Sequence, residues 1–285
     1  MSKIIFITGT STGFGKLMTI TLSAAGNTVV AAMRGTTGKN AAVARELAAL
    51  PNVEVAELDV TSDESVQGAV DQVLQKHGRI DVLVNNAGIS GFGLVEAYSL
   101  EQVRQLFEVN FYGVLRTYQA VLPAMRKAGK GLIINLSTGA SGHALPFMAP
   151  YLASKFSVET ITEGIQEELR DYNIENVTIQ SGVYPTEGTN GSKTGANADR
   201  DDVAAEYGSA ATEKFQAFGA GLFGKIASFN MNPQTVADGV LALVNLPDGT
   251  RPLRYPLDAV AEGTDVEFIN ARAEIKARWL AKYTA

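Results

Sequence analysis

Short runs of apolar and β-branched residues recur through the first two thirds of the chain, at 3–8 (KIIFIT), 28–33 (TVVAAM), 53–58 (VEVAEL), 81–85 (DVLVN), 131–137 (GLIINLS) and 176–182 (NVTIQSG). They are apolar on both faces, which predicts strands covered on both sides, as in a parallel sheet between two layers of helices. Between them the apolar spacing changes to three and four residues, which predicts helices over 13–25, 39–49, 62–77, 99–127 and 150–172. The third opens on TSDES, where Thr61 or Ser62 can cap the helix and the acidic residues of the first turn suit its dipole. Strands and helices in alternation predict an α/β fold with a doubly wound parallel sheet.

After residue 185 the alternation breaks. The stretch PTEGTNGSKTGANADRDD, 185–202, is rich in Gly, Asn, Thr and Asp and reads as a long surface loop or insertion. Beyond it Phe215, Phe218, Leu222, Ile226 and Phe229 make an apolar stripe interrupted by Gly219, Gly221 and Gly224. Two readings stand: an ordinary packing helix, or a lid over an apolar substrate, since each glycine weakens a helix by about 1 kcal/mol. The lid and its loop would occupy 186–230. Residues 233–245 predict another sheet-covering helix, RPLRYPL at 251–257 a short terminal strand, and 265–283 a helix whose Trp279 docks on the body. With no internal repeat and no linker between two cores, 1–285 is expected to form a single domain with a C-terminal lid and helical extension.

Composition narrows the chemistry. The 285 residues are 46% hydrophobic and 19% charged, with a formal net charge of −6, which fits a globular protein with one sizeable core. The densest basic cluster is RKAGK at 126–130, so nothing marks a surface for nucleic acid or anionic lipid. With no cysteine, disulfides, thiolate nucleophiles and cysteine-ligated metals are all excluded. His77 and His143 are far apart and lack carboxylates at ligand spacing, so no metal site is expected. The opening MSKIIFITGT lacks the features of a signal peptide, and no apolar run approaches membrane-span length, so the expected location is the cytoplasm.

The first strand runs into FITGTSTGFG, which places Gly9, Gly13 and Gly15 between strand and helix. Glycines there allow a sharp turn and close approach to a pyrophosphate, whose charge the helix N-terminus stabilises. The spacing differs from the GxGxxG of many dinucleotide domains; it resembles the TGxxxGxG turn of the short-chain dehydrogenase/reductase family. The resemblance continues, over roughly 3–190, through Asp59-Val60, NNAG at Asn85–Gly88, Asn110, the strand end Ser137/Thr138 and Tyr151-x-x-x-Lys155. It implies a Rossmann-type fold and a nicotinamide cofactor held at Gly9, Ser11, Thr12, Gly13, Phe14 and Gly15, with Asp59 and Val60 at the adenine and Asn86, Ala87 and Gly88 near the adenosine ribose. Where an acidic residue would bind the ribose hydroxyls, this chain has Arg34, whose guanidinium suits a 2′-phosphate; NADP(H) is therefore expected, with Lys39 as a possible aid.

Residues four apart on a helix share a face, so the Tyr151 phenol and Lys155 ammonium can meet one cavity. A nearby cation, together with oxidised nicotinamide, is expected to lower the phenol's pKa toward neutrality. By resemblance Tyr151 exchanges a proton with the substrate oxygen, Lys155 also holds the nicotinamide ribose, and Asn110 supports a proton path to solvent. The family's serine most often lies thirteen residues before the tyrosine, where this chain has Thr138, with Ser137 beside it; consecutive strand residues face opposite ways, and register favours Thr138. Past the sixth strand the family's Pro-Gly and threonine become VYPTEGTN, where Thr186 replaces the glycine and Thr189 falls one residue early; the resemblance implies cofactor contacts at Val183, Pro185 and Thr189.

The expected activity is an NADPH-dependent carbonyl reductase or reversible alcohol dehydrogenase. Phe92, Leu94, Leu145, Phe147, Met148 and Tyr184 would flank the pocket, which points to a bulky apolar ketone, aldehyde or secondary alcohol. His143 falls in the segment that usually lines the pocket, but is as readily a solvated loop residue. Two rivals remain: an NADP(H)-binding sensor with weak or no turnover, and a sugar-nucleotide epimerase of the related extended group, which the glycine spacing and the short C-terminal part oppose. A homodimer or homotetramer through the helices at 99–127 and 150–172 is implied by resemblance alone.

Overall fold

The structure is a computed structural model that describes residues 2–186 and 196–283. Within them each apolar run forms a strand: β1 (Ile4–Thr8), β2 (Thr28–Met33), β3 (Val53–Glu57), β4 (Val82–Asn85), β5 (Gly131–Thr138) and β6 (Ile174–Ser181), followed by a seventh, β7 (Arg254–Leu257). All pair in parallel, in the order β3-β2-β1-β4-β5-β6-β7. The winding reverses between β1 and β4, the place where an open sheet of this type offers a crevice at its strand ends.

The helices are α1 (Gly13–Ala24), α2 (Ala41–Ala48), α3 (Asp63–His77), α4 (Leu100–Phe107), α5 (Gly113–Ala128), α6 (Ala149–Gly164), α7 (Gln166–Arg170), α8 (Asp201–Glu206), α9 (Gly208–Ser228), α10 (Gln234–Asn245) and α11 (Thr264–Leu280). Two cores result from the strand period of two. Ile5 and Ile7 pack with Met18 and Leu22 of α1 and Val236 and Val240 of α10. Their neighbours Ile4 and Phe6 face the other way, onto Val66 and Val70 of α3 and Val121 of α5. The same alternation sends Ile134 to the first core and Ile133 to the second, which explains why the strands read as unbroken apolar runs. Ser62 caps α3, its hydroxyl accepting from the Ser65 amide at 3.1 Å.

Several elements depart from expectation. The predicted helix at 99–127 is two helices joined by a π-helical turn, Glu108–Tyr112, and Asn110 sits in that turn. One wide turn changes the side-chain spacing too little to be seen in a sequence, yet it re-aims the residues within it. The helix at 150–172 likewise divides at Gly164 and Ile165 into α6 and α7. Of the stripe on α9 only Ile226 is buried, Leu222 and Phe229 pack at the edge of the first core, and Gly219, Gly221 and Gly224 face open space.

Trp279 does not dock on the body: it is 54% exposed and stacks on Tyr283, ring centroids 4.6 Å apart. Helix α11 buries none of its residues; Arg272 and Lys276 both reach Glu163 of α6, and Phe268 near its start lies over Gly142. No helix among the described residues is long and apolar enough to cross a membrane, and none of their His, Cys, Asp or Glu residues group as a metal site.

Candidate active site

At the β1–β4 crevice two turns meet almost without space between them. A Cβ on Gly9 would lie 2.7 Å from the Ala87 Cα, and one on Gly15 would lie 2.2 Å from the Gly9 carbonyl oxygen. Gly9 also has φ of +72°, so both close approach and backbone conformation require glycine there. Thr8 Oγ1 accepts from the Asn86 and Ala87 amides, both at 3.0 Å, while the Asn86 side chain donates to the carbonyls of Thr8 and Gly9 at 2.8 and 2.9 Å. Asn86 therefore braces the glycine turn, and Asn85, the first residue of NNAG, is tied into the core by Asn135 at 2.9 Å and Thr117 at 2.7 Å.

Helix α1 opens onto this crevice. Its N-cap Thr12 makes no side-chain capping bond and its first turn carries no acidic residue, whereas α3 has both a serine cap and Asp63 and Glu64. An anion can approach the N-terminus of α1 without displacing a side chain of the cap. Ser11 is partly buried beside it, the Phe14 ring meets Tyr184 edge-on at 5.6 Å, and Gly13 lies opposite Thr186, whose Cβ would be 3.4 Å from an added Cβ. Val183 packs at the edge of the first core and Pro185 is exposed at the crevice rim; Thr189 lies outside the described residues.

Arg34, just past β2, is half-exposed and reaches the Asp59 carboxylate at 3.7 Å. Burial raises the Asp59 pKa, but hydrogen bonds from the Thr61 amide and hydroxyl and the Arg34 charge outweigh it and hold the carboxyl below its usual range. Val60 turns its side chain into the core under Gly113.

On the other side of the crevice, Tyr151 and Lys155 project from α6. Lys155 is buried, and its ammonium donates to the Leu136 carbonyl at 2.8 Å. A Cβ on Gly88 would sit 3.2 Å from Asn110 Oδ1 and 3.5 Å from Lys155 Nζ, so these two head groups flank the same glycine. The π-helical turn presents the Asn110 amide group to the Ile89 backbone, accepting from its N–H at 2.8 Å and donating to its carbonyl at 2.9 Å, and donating also to Ser154 Oγ at 2.9 Å. Tyr151 packs against Tyr98, Leu106 and Ala196.

The expected lowering of the phenol is not what this structure gives: burial pushes the Tyr151 pKa up to about 12. Burial also brings Lys155 down to about 8, opposed by the Glu159 carboxylate. Desolvation disfavours each charged form, and the ammonium is engaged with the Leu136 carbonyl.

At the end of β5 the two candidate hydroxyls are in different surroundings. Ser137 is buried, and its hydroxyl has no partner among the described residues. Thr138 is partly exposed, and its hydroxyl accepts from the Ala140 amide at 3.4 Å. The turn after it is fixed by a group the sequence reading did not single out. Glu159, fully buried one turn beyond Lys155, accepts from Ser141 Oγ at 3.0 Å, Gln180 Nε2 at 3.1 Å and Arg254 Nε at 3.0 Å. Ser141 in turn donates its amide to the Thr138 carbonyl at 2.9 Å. The signal was present: residues 151, 155 and 159 fall four apart on one helical face.

A strap closes the outer wall. Ala196 N donates to the Ser90 carbonyl at 2.8 Å and Ala198 N to the Phe92 carbonyl at 3.0 Å, and a Cβ on Gly91 would lie 2.6 Å from the Ala196 carbonyl. Behind it a cavity of ≈ 500 Å³ is lined by Phe92, Leu94, Ala97, Ala198, Arg200 and Phe215, among others. The Phe147 ring contacts those of Phe215 and Phe218 at 5.2 and 5.7 Å. Leu145 is partly buried, Met148 is buried, and His143 is exposed with its ring edge-on to Phe268 at 5.5 Å.

The family model described as short chain dehydrogenase matches residues 3–197, which takes in both turns, the π-helical asparagine and the Tyr151–Lys155 face. The chain belongs to the short-chain dehydrogenase/reductase family. The chain is 37% identical over 184 residues to a 3-ketodihydrosphingosine reductase of Bacteroides thetaiotaomicron, and the match spans 65% of each chain. Its fold is similar to that of a short-chain dehydrogenase from Streptomyces avermitilis, with a TM-score of 0.77 at 27% identity over 99% of this chain and 96% of the other. A gluconate 5-dehydrogenase from Burkholderia cenocepacia, solved in complex with NADP and tartrate, gives a TM-score of 0.62 at 31% identity over 67% of this chain and 75% of its own. The protein is thus a member of an oxidoreductase family with a single Rossmann-type sheet, and α8 to α11 and β7 lie beyond the segment the family model covers.

Proposed function

We propose that this protein is an NADP(H)-dependent reductase of a ketone or aldehyde, reversible toward the secondary or primary alcohol, with a bulky apolar substrate. The observation that carries the reading is the convergence of Asn110 and Lys155 on Gly88 at the sheet's crevice, with Tyr151 one turn before Lys155 on the same helix. The crevice fits a dinucleotide: Gly9 and Gly15 leave the backbone bare, the α1 N-terminus carries neither side-chain cap nor acid, and Arg34 stands at the end of β2 where a 2′-phosphate would need a cation. When bound, the reduced nicotinamide supplies two electrons and a hydrogen to the carbonyl carbon.

The chain's own residues supply the rest. Thr138, at the open end of β5, donates a hydrogen bond that orients the carbonyl oxygen, and Tyr151 gives that oxygen a proton. A phenol near pKa 12 is fully protonated at neutral pH, the form a proton donor needs. Lys155, charged below about pH 8, stabilises the phenolate left behind. Asn110 ties the Ile89 backbone, next to Gly88, to Ser154 of α6.

The apolar substrate is supported by the cavity lined by Phe92, Leu94 and Phe215. Ala198 belongs to its wall and packs, as Tyr151 does, against the cluster of Tyr98, Leu106 and Ala196. In this reading 186–230, of which 187–195 lie outside the described residues, is the substrate loop and lid, and the protein works in the cytoplasm as a homodimer or homotetramer through the segments 99–127 and 150–172, where Leu100 and Tyr112 are exposed. One observation favours the rival sensor without turnover, namely the high phenol pKa, which makes the alcohol-oxidising direction slow at neutral pH. Following NADPH absorbance across a panel of apolar ketones and aldehydes tests the proposal. Turnover of the bulky members is expected; coenzyme binding with no turnover of any member would favour the sensor.

A further inference from the structure

The turn after β2 is built as a seat for an anion, and the chain fills it with a carboxylate of its own. Gly35 has φ of +65°, which turns its amide and that of Thr36 toward one point, the arrangement of a backbone nest. Glu57, the last residue of β3, occupies that point. Its Oε1 accepts from the Gly35 amide at 2.6 Å, and its Oε2 accepts from the Thr36 amide at 2.7 Å and the Thr36 hydroxyl at 2.5 Å. Arg34 stands immediately before the seat and pairs with Asp59 at 3.7 Å, and the Lys39 side chain packs over Gly35, its Cγ 3.1 Å from where a Cβ would lie. The carboxylate stays ionised well below neutral pH, because the Thr36 hydroxyl and the two amides bind its charged form.

Three donors converge on one carboxylate in a turn that also carries Arg34 and Lys39, and the turn lies at the strand end where Arg34 would meet a 2′-phosphate. We propose that Glu57 is a specificity-determining residue that acts as an internal competitor for the coenzyme's 2′-phosphate, holding the Gly35–Thr36 donors and repelling the phosphate charge. It narrows the preference for NADP(H) over NAD(H) that Arg34 establishes. The inference rests on the proposed binding of a dinucleotide with its adenosine ribose at the end of β2.

Glu57 is exposed at a strand end, so its replacement leaves both cores intact. Glu57→Gln keeps an acceptor for the nest and removes the charge; Glu57→Lys reverses it. Dissociation constants for NADPH, NADH, 2′,5′-ADP and 5′-AMP, measured by calorimetry on the full chain with melting temperature as a control, read the effect without turnover. NADPH and 2′,5′-ADP are expected to bind about tenfold tighter to Glu57→Gln and at least as tightly again to Glu57→Lys, with NADH and 5′-AMP within about twofold of wild type. Unchanged or weaker NADPH binding in both variants would overturn the inference and leave Glu57 as a loop clasp. Equal tightening of NADH would overturn it as well, because the effect would not reside at the 2′-phosphate. A wild type that prefers NADH contradicts the cofactor reading alone, since the inference is read from the change on substitution; binding of neither coenzyme to any of the three proteins overturns both.

Discussion

Replacing Glu159 by glutamine separates two roles that the structure gives to one buried carboxylate. The side chain pairs with Arg254, both almost fully buried, and also holds Ser141 and Gln180. Removing one partner of a buried ion pair costs about 3–5 kcal/mol, but Arg254 keeps Glu163 at 2.6 Å and glutamine keeps one acceptor. A loss of about 2–4 kcal/mol is the better expectation, which lowers the melting temperature by roughly 3–7 °C for a chain of this size. The second effect is on Lys155, one turn away, where side chains stand about 5–6 Å apart. Burial depresses the ammonium to about 8, and the Glu159 charge opposes that depression. Without the carboxylate the lysine titrates lower, by about one unit at the effective dielectric of a partly solvated interior. The sign follows directly. Lys155 is charged below its pKa and neutral above it, so carbonyl reduction in the wild type is flat up to about pH 8 and falls above it, while in Glu159→Gln the fall begins about one unit lower. The assay is the pH dependence of kcat for an accepted ketone, with Glu163→Gln as the control. That variant loses the contacts to Arg254, Arg272 and Lys276 and is expected to melt lower without moving the profile. A Glu159→Gln protein that melts early but keeps the wild-type pH profile would refute the electrostatic part of this reasoning.

Gly15→Ala forces a methyl to within 2.2 Å of the Gly9 carbonyl and 2.6 Å of the Asn86 amide nitrogen, so coenzyme affinity measured by calorimetry should fall by more than about a hundredfold. Gly13→Ala meets Thr186 only at 3.4 Å and carries mainly the strain of φ +52°, about 1–2 kcal/mol, so a loss of about tenfold is expected; equal losses in the two variants would contradict the tight-turn argument. Ser137→Ala removes a buried hydroxyl without a partner among the described residues and should raise the melting temperature slightly, by about 1 kcal/mol of stability, with turnover retained. Thr138→Ala should lower kcat by about tenfold to a hundredfold with little change in stability; the reverse pattern would make Ser137 the orienting hydroxyl.

The sheet was legible because a parallel strand covered on both faces leaves a mark that hardly any other element leaves, and all six runs became strands. The cap at Ser62 and the glycine turn were legible for the same reason, since each is a local interaction between residues a few positions apart. What escaped was set by distance or by burial. Glu159 finds its partners 18, 21 and 95 residues away, on a loop and two other strands. The expectation for the phenol combined a nearby lysine with an oxidised nicotinamide; among the chain's own groups desolvation decides the sign, because spacing gives the nearness of a lysine and not the depth at which both are buried. The π-helical turn around Asn110 and the charged attachment of α11, which leaves Trp279 exposed, follow from packing that no window of sequence contains.

The central claim is that the Tyr151 phenol delivers the proton. Tyr151→Phe removes one oxygen from a residue that packs against Tyr98, Leu106 and Ala196 and leaves that packing in place. Single-turnover reduction of an accepted ketone, measured beside NADPH affinity in the same preparation, is the direct test. The account predicts a loss of at least about a thousandfold in rate with affinity within about twofold of wild type. A variant that reduces the ketone at the wild-type rate would contradict it.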